Sequence, residues 1–202
     1  MTTKQIFAPL LVSSLIVIAC NNDKPKDSIT TITSKDGKEQ VIIDPYQLKD
    51  AAQDMLKRKE ELEKLTPLTA DELKALVPGE LMGAAASNID IDAAMGTTVA
   101  NATYKIDDSA DLKLEIVDCA GTGGAGMFGM QYLGMININS DDENEYVKTI
   151  DFNGGKAIES CKKKKNRCTI AYFSGDRFLV SLRGDNVGID ALKELAKGLK
   201  IK

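Results

Sequence analysis

Residues 145–199 read EYVKTIDFNGGKAIESCKKKKNRCTIAYFSGDRFLVSLRGDNVGIDALKELAKGL, and this stretch decides the fold. Four runs rich in β-branched and aromatic residues, Glu145–Asn153, Lys156–Lys162, Arg167–Ser174 and Arg177–Arg183, are separated by turn residues, the pattern of an antiparallel meander. A two-residue turn at Gly175-Asp176 would pair Phe173 with Phe178 and Ala171 with Val180. Carried across the lysine loop, that face aligns Ala171 with Ile158, and an odd-length glycine bulge at Asn153–Gly155 would keep Ile158 against Ile150. The expected core face is therefore Ile150, Ile158, Ala171, Phe173, Phe178, Val180 and Leu182. The segment Gly188–Leu199 sets Ile189, Leu192, Leu195 and Leu199 on one helical stripe, which should lie across the sheet.

The same register puts Cys161 directly opposite Cys168, on the face expected to point away from the helix. Opposed strand residues have Cβ atoms close enough for a cross-strand disulfide, so this pair is predicted to be bonded. Upstream, Val99–Ile106 and Leu112–Cys119 alternate as a hairpin around the acidic loop 107–111. Pairing Tyr104 with Leu114 places Ala100, Ala102, Tyr104 and Ile106 on one face with Leu112, Leu114 and Ile116. The expected fold class is α+β: a two-layer arrangement of an antiparallel sheet (meander plus hairpin), a C-terminal helix on one face and an N-terminal charged helix.

Four regions follow: 1–19, 20–43, 44–78 and an α+β domain over 79–202. Asp44-Pro45 is a helix start, and Leu48, Ala52, Met55 and Leu62 form a seam interrupted by Lys59. Two and a half heptads are too few to stand alone, so the helix is a stalk or is laid against the domain; a partner-binding helix is the alternative. Thr69-Ala-Asp-Glu72 is a capping box opening a short helix that ends at Pro78. Residues 21–44 are polar and poor in aromatics, the composition of a flexible tether. A hairpin turning at Asp36-Gly37 is the other reading.

The first twenty residues carry one cation, Lys4, and an apolar run from Ile6 to Ala19 too short to span a bilayer comfortably. Val17-Ile18-Ala19-Cys20 resembles the lipobox of bacterial lipoprotein precursors. The resemblance implies cleavage before Cys20, acylation of Cys20, and a lipid bilayer as partner through those chains. Residues 1–19 would be the signal peptide and 20–43 a lipidated tether in the cell envelope. Asn21 in place of Asp favours the outer over the inner membrane.

The chain of 202 residues has no His and no Trp, and its 26 basic against 30 acidic side chains give a formal charge of −4. Without imidazole there is no Ser-His-Asp unit and no His-ligated zinc, and an acidic chain argues against nucleic acid as partner. No motif calls for a cofactor or a metal. Gly121-Thr-Gly123-Gly124-Ala-Gly126 matches G-x-G-x-x-G, but an alternating strand precedes it, so a mobile glycine-rich loop is expected instead of a dinucleotide site. Met127, Phe128, Met130, Tyr132 and Leu133 are the candidate binding flap. Lys162, Lys163, Lys164, Lys165 and Arg167 put five cations at a hairpin tip, a candidate contact for anions. Cys119 is expected to be small and buried. The functional expectation is a non-enzymatic envelope lipoprotein that binds a ligand or an envelope protein. The alternative is a small-molecule or metal-handling protein using the Gly121–Met135 loop, with Met127, Met130 and Met135 as sulfur donors.

Overall fold

The structure is a computed structural model and describes residues 30–33, 40–43, 45–94, 96–135 and 138–202. Cys20, its lipobox and the Asp36-Gly37 turn lie outside the described residues. In chain order the elements are β1 (Thr30–Thr33), β2 (Gln40–Ile43), α1 (Pro45–Glu63), α2 (Ala70–Lys74), β3 (Glu80–Leu81), β4 (Ala84–Ala94), β5 (Thr97–Lys105), β6 (Asp111–Asp118), α3 (Gly121–Gly134), β7 (Asn139–Asp141), β8 (Glu145–Phe152), β9 (Gly155–Lys162), β10 (Arg167–Ser174), β11 (Phe178–Asp185) and α4 (Ile189–Gly198). Within the expected tether, β1 and β2 pair as an antiparallel ribbon with Thr30 opposite Ile43. The remaining strands form one open antiparallel sheet in the order β3-β4-β5-β6-β11-β10-β9-β8-β7. The α+β class holds.

The turns decide which side chains face which layer. Asn153 and Gly154 both have positive φ, 48° and 81°, as a two-residue type I′ hairpin requires. Phe152 therefore pairs with Gly155, and Ile150 faces Ala157, not Ile158. The next turn is longer than expected. Gly175, Asp176 and Arg177 all lie between the paired residues Ser174 and Phe178, so Tyr172 faces Val180 and Ala171 faces Ser181. A one-residue slip moves a whole strand's side chains to the other face. The front face, under α4, thus carries Ile150, Ala157, Ile170, Tyr172, Phe178, Val180 and Leu182, whereas Ile158, Ala171 and Phe173 join the back. The β9–β10 register is the expected one, with Cys161 opposite Cys168 and their sulfurs bonded at 2.04 Å. Because of the slip, however, this disulfide lies on the helix-covered front face and not away from it.

In the β5–β6 hairpin Tyr104 pairs with Leu112 and Ala102 with Leu114, two residues from the expected register. A slip of two preserves the face, and Ala100, Ala102, Tyr104, Leu112, Leu114 and Ile116 are all buried together. The front core is closed by Leu192 and Ala196 of α4 and by Leu73 of α2. The Thr69 capping box forms as expected, its hydroxyl accepting from the Glu72 amide. Tyr104 anchors the exit of this segment by donating its hydroxyl to Pro78 O at 2.7 Å.

The back face gains a second helical layer. Here Leu62 of α1 and Ala125 and Phe128 of α3 pack on Val117 and Leu179. Lys59 does interrupt the α1 seam, and it is held by Glu63 one turn on. The two helices meet at Gly129, where an added Cβ would be in ordinary contact, 3.4 Å from Met55 Sδ. The helix beginning at Pro45 is therefore laid against the domain, through α3.

Candidate functional site

The G-x-G-x-x-G segment opens α3, and close packing requires glycine at Gly121 and Gly124, while Gly126 faces open space. Gly121 has φ of 72°, and a Cβ there would sit 2.9 Å from Pro67 Cγ. At Gly124 a Cβ would come within 2.5 Å of Asp118 O and of the Cys119 carbonyl carbon. The helix N-terminus is thus plugged by its own chain, where a phosphate cradle needs open space. An expected mobile loop is instead a helix pressed onto the end of β6.

Of the candidate flap residues, Phe128 is 2% exposed and stacks against Phe173 and Tyr132, with ring centroids 4.7 and 5.4 Å apart. Met127 and Tyr132 are half-buried, Met130 is 72% exposed, and the Leu133 side chain lies outside the described residues. The three sulfurs considered for a metal do not converge. Met130 points to solvent while Met135, just past the end of α3, is buried against the back core.

What α3 does build is a cleft of about 660 Å³ where the helical layer meets two hairpin turns. Its apolar wall is Ala51, Tyr132, Met135 and Phe173. Its floor and rim come from the Asn153-Gly154-Gly155-Lys156 turn and from Gly175 and Asp176. A polar chain runs along the edge. Tyr132 donates its hydroxyl to Asp54 Oδ2 at 2.9 Å, Arg58 Nε lies 3.4 Å from that same oxygen, and Arg58 Nη1 donates to Asp176 Oδ1 at 2.7 Å. Burial raises the Tyr132 phenol above its ordinary pKa, and the hydrogen bond to Asp54 adds to the effect. Lys156 is paired with Asp151 at 2.6 Å.

The Gly175-Asp176-Arg177 turn is held from the far side. Asp118, with a fully buried side chain, accepts from Arg177 Nε at 2.7 Å and Nη2 at 2.9 Å, and from the amides of Leu68 and Ala120. Arg177 Nη2 also donates to Thr66 O. Burial works against the Asp118 charge, but Arg177 and the two amides outweigh it and hold the carboxyl below its ordinary range. Glu115, an exposed back-face residue, lies on the opposite side of the same strand. Cys119 is fully buried, and burial pushes its thiol up to about 12.

At the lysine tip, Lys163–Lys165 make one 3₁₀ turn closed by Asn166 at φ 44°. Two of the five cations are engaged: Lys163 with Asp141 at 2.6 Å and Arg167 with Asp185. Lys162, Lys164 and Lys165 are exposed and make no ion pair among the described residues. The sequence missed the cleft itself. Its only local trace is the i, i+4 pair Asp54–Arg58, since the other lining residues come together through the sheet. Comparison with protein-family models, curated proteins and solved structures finds no match to the chain.

Proposed function

We propose that the protein is a lipid-anchored binding protein of the bacterial cell envelope, non-enzymatic, whose ligand occupies the cleft between α1, α3 and the two glycine turns. Cys20 at the end of the lipobox-like sequence supplies the anchor, and the polar segment after it gives reach. The observation that carries the reading is the cleft's size and lining. About 660 Å³ lies within the range of small-molecule sites, and the lining is mixed, an apolar wall of Ala51, Tyr132, Met135 and Phe173 facing a polar rim. Each ionised rim group is already engaged by another: Asp54 and Asp176 by Arg58, and Lys156 by Asp151. Groups held in this way favour orienting a ligand over transferring protons. The lining favours a compact ligand with an apolar body and a polar end.

Native mass spectrometry of protein extracted from its own host membranes tests this. Wild type should carry a small-molecule adduct, and Ala51→Trp, which fills the cleft from half-exposed α1, should lose it. The same adducts on both, or none on wild type, would refute the cleft as the ligand site. Anchoring is tested separately: Cys20→Ala should leave the membrane fraction.

A further inference from the structure

Away from the cleft, the back face of the sheet is left bare by α3, and the cross-strand registers lay out a row there: Thr103, Lys113, Arg183, Thr169. Lys113 and Arg183 are direct cross-strand partners, so their Cβ atoms sit about 5 Å apart and like charges face each other, an arrangement that destabilises a sheet. One row along, Arg167 is matched to Asp185. Here no such match exists. Neither Lys113 nor Arg183 makes an ion pair among the described residues, and Arg183 Nε is buried with no hydrogen-bond partner. Both side chains line a depression of about 340 Å³, together with the hydroxyls of Thr103, Thr169 and Ser181.

We infer that this depression is an oxyanion site for a phosphate group. The cations and hydroxyls offer donors in excess, and the missing element is a compact acceptor with several oxygens. Phosphate suits the guanidinium fork and the ammonium together, and charge-assisted bonds to it are strong. It would also cancel the Lys113–Arg183 repulsion. Glu115, in the same depression, competes for the cations and keeps the local field modest, so binding depends on the donor geometry and weakens with salt. The site is independent of the cleft and stands or falls separately from it.

The probe is inorganic phosphate, added to the protein in non-ionic detergent at constant ionic strength against chloride. At ten times the dissociation constant, the wild-type melting temperature should rise by about 3–5 °C. Lys113→Gln and Arg183→Gln should show no rise, and in chloride Lys113→Gln should melt no lower than wild type because repulsion is relieved. Glycerophosphoglycerol in a parallel arm separates the sources: stabilisation equal to that by phosphate assigns a lipid headgroup, and stabilisation by phosphate alone assigns a free anion or monoester. An equal shift in wild type and Lys113→Gln, or none in wild type with either probe, overturns the site. Exposed Lys113 keeps the test valid if Arg183→Gln fails to fold.

Discussion

Asp118→Ala is the substitution with the largest worked consequence. It removes a buried carboxylate that receives two bonds from Arg177 and one each from the Leu68 and Ala120 amides. Breaking a buried ion pair by deleting one partner costs about 3–5 kcal/mol, and two stranded amides place this case at the upper end. A loss of about 5 kcal/mol corresponds to a fall in melting temperature of roughly 10–20 °C for a chain of this size. Arg177→Ala should cost less, about 3 kcal/mol, because Asp118 keeps its amides and can take a proton. The assay is urea unfolding of both single variants and the double variant. The double should be at least about 1.5 kcal/mol more stable than additivity predicts. The pH profile gives a second reading. The folded Asp118 pKa lies below its ordinary value, so the stabilisation is fully present above about pH 4, near the unfolded value, and is lost as pH falls through the folded pKa. The wild-type advantage over Asp118→Ala should be flat from neutral pH down to about 5 and shrink below 4. Additivity within about 0.5 kcal/mol, or a decline already under way at pH 6, would refute the reasoning.

Gly124→Ala puts a methyl 2.5 Å from backbone atoms of Asp118 and Cys119; no side chain can yield there, so a loss of about 3 kcal/mol or more is expected by calorimetry. Replacing Cys161 and Cys168 together by Ala should cost roughly 2.5 kcal/mol, the loop-closure value for a separation of 7, read as a lower urea midpoint. Peptide mapping without reduction should recover the two cysteines linked. Cys119 should resist iodoacetamide at pH 8 in the folded protein and react on denaturation, since its buried thiol stays protonated to about pH 12. Replacing Lys164 and Lys165 by Gln should change stability by less than about 0.5 kcal/mol, as they are exposed and unpaired among the described residues.

The meander, the closing helix, the capping box and the disulfide were legible because each rests on local chemistry: period-2 alternation, a 3.6-residue stripe, Thr and Glu at fixed spacing, and two cysteines across a short loop. The long strand β4 was not. Ala84–Ala94 is small and polar, and Asn88, at φ 49° beside the shift between Ser87 and Asp90, breaks its alternation. The start of helix α3 was read as a loop because four of its first six residues are glycine, poor helix formers alone. Packing at Gly121 and Gly124 supplies what propensity lacks, since only a residue without Cβ fits against Pro67 and Asp118.

By itself the sequence determined the strands and the closing helix from residue 145 onward, and that Cys161 faces Cys168. Only the tertiary structure decided which face each strand shows and which charges meet. In β10, Ile170 and Tyr172 alternate with Ala171 and Phe173, so both faces are apolar and the local pattern cannot choose between them. One extra residue in the Gly175-Asp176-Arg177 turn makes the choice. The cleft and the Lys113–Arg183 pair exist for the same reason: their residues are brought together by strand register, a property of paired backbones that no single segment encodes.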